Sequence, residues 1–168
     1  MNGCGVLADA FGRIQEAVHG AVRDLSAEEL NTRVSDDANS IAWLVWHLTR
    51  VQDDHVADAG GLEQVWLSGW ADRFALPFAP EVTGFGQSSK QVAAVRVDSP
   101  ELLLGYHDAV VEQTLRFIES LDDDALDRVV DKSWIPPVTL GVRLVSVTAD
   151  DLQHAGQAAF IRGLLGRR

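Results

Sequence analysis

LSAEELNTRV at residues 25–34 and LDDDALDRVV at residues 121–130 are one short pattern met twice. Leu25 and Leu30 match Leu121 and Leu126, and Val34 matches Val130. In the first copy, Ser26 with Glu29 fits a capping box that opens a short helical turn. A long helix-periodic stretch precedes each copy. Before the first, Val6, Leu7, Ala10, Phe11, Ile14, Ala17, Val18, Val22 and Leu25 recur mostly at steps of three and four. Before the second, Ser99-Pro100-Glu101 starts a helix with Leu103, Tyr106, His107, Val110, Val111, Thr114, Leu115 and Ile118 along it. After each copy comes a polar or proline-rich connector and another helix. Ser40 caps the one that runs to about Asp58, ahead of Gly60-Gly61. Thr139 caps the one over about 140–165. Two such halves predict an all-α four-helix bundle. No stretch alternates over several residues, so no strand pair is expected.

Residues 61–98 lie between the halves. They hold Gly61, Gly69, Gly84, Gly86, Pro77 and Pro80, with Trp66, Trp70, Phe74, Phe78 and Phe85. Structureless segments this long are uncommon in compact domains. The aromatics predict a packed crossover between helices 2 and 3, with a short helix near 62–72. The 168 residues read as one domain over 1–168.

Net charge is −11, mean hydropathy is +0.00, and no Lys/Arg stripe occurs. That balance predicts no nucleic-acid partner and no anionic membrane surface. No run of 18 apolar residues is present, and the N-terminus has no basic region typical of a signal peptide, so a cytoplasmic location is expected. Cys4 is the sole cysteine. It excludes an internal disulfide and a cysteine zinc cluster, and its place near Met1 predicts a mobile end. Surplus aromatic surface on the crossover predicts a homodimer.

Five histidines are present: His19, His47, His55, His107 and His154. His47 lies mid-helix beside Trp43, Leu44 and Val51, where a hydrogen-bonded core histidine is the plain reading. Asp150 and His154 are four apart and share a helix face. Alone they read equally as a helical ion pair, or as a solvated acidic pair of Asp150 with Asp151. Bundle cores, however, build metal sites from inward side chains on facing helices. His47, Asp150 and His154 together give two imidazoles and a carboxylate, with a coordination position left open. Such a set suits zinc, nickel or iron(II). Asp54 shares the face of His47 and fits either an orienting role or a solvent position. His55 falls on the flank or at the surface, Arg143 reads as a surface salt bridge or as a contact for an anionic substrate, and the tryptophans, Trp134 included, are expected mostly in the core, with one or two walling a pocket mouth.

NSIAWLVWHL at 39–48, the two connectors above, and DDLQHAGQAAFIRG at 150–163 resemble the DinB/YfiT-like superfamily of four-helix metalloproteins. The nearest branch resembled includes mycothiol-dependent maleylpyruvate isomerase. The resemblance implies one metal-binding histidine on the second helix, matched by His47. It implies a His or Glu followed four later by His on the last, matched by Asp150 and His154. Here the carboxylate is Asp, and Gln157 stands where many relatives have histidine. The resemblance further implies a divalent-metal-dependent enzyme using a low-molecular-weight thiol such as mycothiol with a small-molecule substrate. In such an enzyme a coordinated thiol ionises and its thiolate attacks an electrophilic carbon. The alternatives are a non-catalytic metal-binding or stress-response bundle, and a small-molecule binding module with an apo polar network.

Overall fold

A computed structural model describes residues 2–166. Four long helices form the bundle: α1 (Gly3–Val22), α3 (Ile41–Gly60), α6 (Pro100–Glu119) and α7 (Leu140–Leu165). Short helices α2 (Ala27–Asn31), α4 (Trp70–Phe74) and α5 (Ser89–Ala94) lie between them. The repeated pattern has the same local chemistry in both places. Ser26 caps α2 in a reciprocal capping box with Glu29. Asp122 accepts the amide of Ala125 to open a 3₁₀ turn over Asp123–Asp127.

α1 packs on α6 and α7, and α3 packs on the same two helices, so the helices of one half face each other diagonally. The two halves therefore interlock. Side-chain pairs give the directions. Thr49 meets His107 and Gln52 meets Thr114, so α3 and α6 run parallel. His47 meets His154 and His55 meets Arg143, so α3 and α7 run antiparallel. Parallel neighbours require the chain to travel back the length of a 20-residue helix, about 30 Å. Residues 61–99 make that return.

The crossover packs as expected, though with more helix than the sequence showed. A 3₁₀ turn at Val65–Leu67 and α4 replace the single helix expected over 62–72, and α5 was not foreseen. Trp66, Phe74, Val92, Val95 and Val97 are buried. The Trp70 ring lies over Gly105, where a Cβ would stand 2.8 Å from it. A buried ionic group ties this segment to the bundle. Asp53 accepts the amides of Val65 and Trp66 at 2.8 and 2.7 Å and the hydroxyl of Tyr106 at 2.8 Å. Arg50 sits 3.7 Å from Asp53, with both side chains fully buried. It donates to Gln64 and to the carbonyl of Pro80, and its guanidinium lies over the Trp66 ring.

Four expectations need correction. Val129–Asp131 (β1) pairs antiparallel with Val138–Thr139 (β2), a sheet too short to leave an alternating signature. Cys4 is not in a mobile end: it is buried in α1, with its amide and that of Gly3 donating to Asp123. Trp134 is exposed. Asp151 is not solvated. It occupies the core line Leu144–Val147–Asp151–Ala155–Ala158 of α7, and neither carboxylate oxygen has a hydrogen-bond partner among the described residues.

Burial, and then the charge of Asp150, push the Asp151 carboxyl well above the usual range. The unfolded chain releases this proton near pH 4 while the fold retains it, so stability falls as pH rises from there. In chelator, Asp151→Asn should melt higher than the parent at pH 7.5, by roughly 3 °C per kcal/mol regained, with the gap closing toward pH 4. Arg50→Ala leaves Asp53 buried without its cation and should cost about 3–5 kcal/mol in chemical denaturation.

Candidate metal centre

His47 projects from the middle of α3, where Ser40 caps the helix start and Gly61, at φ 63°, ends it. The side chain is 5% exposed. Its Nδ1 lies 2.6 Å from the carbonyl of Thr83 in the crossover, and its ring stacks on Trp43 at 4.5 Å. A carbonyl only accepts, so Nδ1 carries the proton and Nε2 is left with its lone pair. Burial chiefly lowers the His47 pKa, with the charge of His154 adding to this against the Thr83 bond and Asp150. The neutral, ligating form is thereby favoured.

Antiparallel α7 brings Asp150 and His154 to the same seam. His154 Nδ1 lies 2.9 Å from Gln157 Oε1, which again directs Nε2 away. His154 Nε2 and Asp150 Oδ1 are 3.7 Å apart, too far for a hydrogen bond. The other carboxylate oxygen of Asp150 is buried and unpartnered. One ligand atom from each of His47, Asp150 and His154 falls within 4.8 Å of the others. The donor set, two imidazoles and a carboxylate oxygen without a partner among the described residues, fits a divalent transition ion.

The crossover supplies parts that the sequence did not disclose. Gly84 has φ 100°, and a Cβ there would stand 2.8 Å from His47 Nδ1 and 2.9 Å from Trp46. Glycine at this position lets Thr83 present its carbonyl. Trp43 donates its indole N–H to Gln87 at 2.7 Å, which fixes the ring that His47 stacks on. Thr83 acts through its backbone and so has no residue-type signal. Gln157 was visible only as a departure from the family pattern, yet it holds His154.

The other candidates lie elsewhere. His107 is fully buried against Thr49, and burial lowers its pKa to about 4. His19 pairs with Asp108 at 2.7 Å. Arg143 bridges His55 Nδ1 and Asp131 at 3.0 Å each, the salt bridge expected of it. Asp54 accepts from Gln64 along the seam. A cavity of about 290 Å³ under the crossover, walled by Trp46, Trp66 and Phe78, is separate from these ligand atoms.

The sequence pattern of mycothiol S-transferases matches residues 6–166. The chain belongs to that family, within the DinB-like superfamily. A crystal structure described as a conserved protein from Enterococcus faecalis is similar at TM-score 0.92 and 30% identity, covering 100% of this chain and 99% of that one. No curated protein matches. As a mycothiol S-transferase family member, the chain is associated with a small-molecule substrate and a thiol. No helix among the described residues is long and apolar enough to cross a membrane.

The Gly84 contact can be separated from its backbone conformation. Gly86 also has positive φ, at 72°, but nothing lies near its Cβ position. Each alanine substitution should cost about 1–3 kcal/mol for the strained backbone. Gly84→Ala should melt lower than Gly86→Ala, and it alone should shift the His47 Nδ1 resonance in ¹⁵N NMR.

Proposed function

We propose that His47, Asp150 and His154 hold one divalent metal ion, and that the protein joins a low-molecular-weight thiol, mycothiol or a close analogue, to an electrophilic small molecule. One observation carries the metal assignment. Both histidines have Nδ1 engaged by an acceptor, which leaves Nε2 on each with its lone pair, and one ligand atom from each of the two rings and Asp150 lies within 4.8 Å of the others. Membership in the mycothiol S-transferase family supports the thiol chemistry.

Such an ion would supply a Lewis acid beside which a thiol ionises at neutral pH. The chain's own residues prepare the place. Burial keeps His47 neutral against the pull of the Thr83 bond, and that bond holds it in one tautomer. Gln157 does the same for the orientation of His154. Asp150 brings the single negative charge of the set, and Trp43 shields the imidazoles on one side. Zinc, nickel and iron(II) all suit this donor set. Cys4 is buried in α1, with its thiol pushed up by burial and Asp123, so the nucleophilic sulfur comes from the co-substrate. The homodimer expected from the sequence is assigned to a different surface. Trp66, Trp70, Phe74 and Phe78 of the crossover pack on their own bundle and only Phe85 among its five aromatics stands exposed, whereas Val142, Val145, Leu152 and Phe160 form an exposed line on α7.

Protein purified without an affinity tag should contain one metal per chain by elemental analysis. His154→Ala should lose it, because two ligands remain. Asp150→Asn keeps the shape and removes the charge, and its affinity should fall about ten- to a hundredfold. Full occupancy of His154→Ala would show that other residues hold the ion. Metal removal should abolish conjugation of mycothiol to monobromobimane above the uncatalysed rate.

A further inference from the structure

The seam between α3 and α7 continues past the triad. On α3, His47, Val51, Asp54 and Asp58 follow one another at steps of four, three and four, which places them in one line. On antiparallel α7, His154, Asp150 and Arg143 make the facing line. At its far end the seam opens into a cavity of about 440 Å³ lined by Asp54, His55, Asp58, Gln64, Asp131 and Arg143. This lining is polar but not uniformly acidic. Arg143 holds His55 through Nδ1, leaving the other ring nitrogen without a partner among the described residues. The Asp58 carboxylate makes no hydrogen bond among them, and Asp54 uses one oxygen, on Gln64. Free acceptors of this kind, beside a cation already neutralised by Asp131, suit an uncharged ligand rich in hydroxyl groups. A free phosphate or carboxylate would meet three aspartates.

We propose that this cavity binds the polyol end of the thiol co-substrate, with the sugar lying along the seam and the sulfur reaching the triad. The inference rests on the thiol-transfer reading above. Spacing supports it. His55 is eight residues beyond His47, and Arg143 seven before Asp150, so the cavity begins about 10–12 Å from the triad along the helix axes. Mycothiol carries its cysteine sulfur five bonds from an amino sugar, ~6 Å when extended. The polyol beyond that sugar covers the rest of the distance. The seam's other end is more apolar. Val34, Leu44, Phe160 and Ile161 line a cavity of about 570 Å³ there, with Asp37, Asn39, Gln153 and Gln157 at its polar edge. Its larger share of apolar wall makes it the poorer match for a polyol.

Calorimetric titration of the metal-loaded protein with mycothiol and with N-acetylcysteinamide, the same uncharged thiol head without the sugars, tests the assignment. The wild type should bind mycothiol at least tenfold more tightly. His55→Gln and Asp58→Asn should each remove most of that advantage and leave N-acetylcysteinamide binding unchanged, which also shows the site is folded. A wild-type preference that survives in both variants would overturn the proposal while leaving the thiol reading intact. Equal binding of the two thiols by the wild type would overturn it as well. Binding of neither thiol by protein of full metal content would overturn both. Phe160→Ala serves as the control for direction: a loss of mycothiol affinity there, with none at His55 or Asp58, would place the polyol at the apolar end and sink the proposal.

Discussion

The Arg50–Asp53 pair is the interaction on which the site depends. Two ionised groups out of water are costly unless every lone pair and proton is answered. Here Asp53 is answered by two crossover amides and a tyrosine hydroxyl, and Arg50 by a crossover carbonyl, Gln64 and the face of Trp66. Neither group can be satisfied by the bundle alone. Burying them compels residues 64–66 and 80–82 to lie in one place against α3. The next residues, Thr83 and Gly84, then arrive over His47. A charge pair one turn below the triad thus sets the tautomer of a histidine it never touches.

The bundle was legible because helix periodicity, caps and a repeated connector agree with one another. Thr139 caps α7 where the sequence placed it, and Pro100 begins α6. His47, Asp150 and His154 were also legible, since identity and spacing mark side chains that offer lone pairs. What escaped is written in backbone. A carbonyl at Thr83 and a left-handed glycine at 84 carry no chemical label. Asp151 escaped for another reason. Next to Asp150 it reads as part of a solvated pair, yet 100° of helical turn separates the two, and that rotation carries one to the seam and the other to the core. The two-stranded β1–β2 pair was too brief for periodicity to register.

Burial of Asp151 without a partner is a local fault in an otherwise satisfied core. Proteins tolerate such faults near functional sites, where polarity has a use that stability does not reward. Gln157 shows the complementary case. An amide in place of an imidazole still accepts from His154, so a change of residue type leaves the supporting contact in place.

The interlocked halves have a consequence for the order of assembly. His47 belongs to the first half and Asp150 with His154 to the second, about a hundred residues later in the chain. Contacts of such separation form after local ones, because the loop between them must first be closed. An ion held by these three side chains would not nucleate the fold as it does in a zinc finger, whose ligands lie close together in sequence. It would enter a finished protein, and its exchange would be governed by access to the seam rather than by refolding.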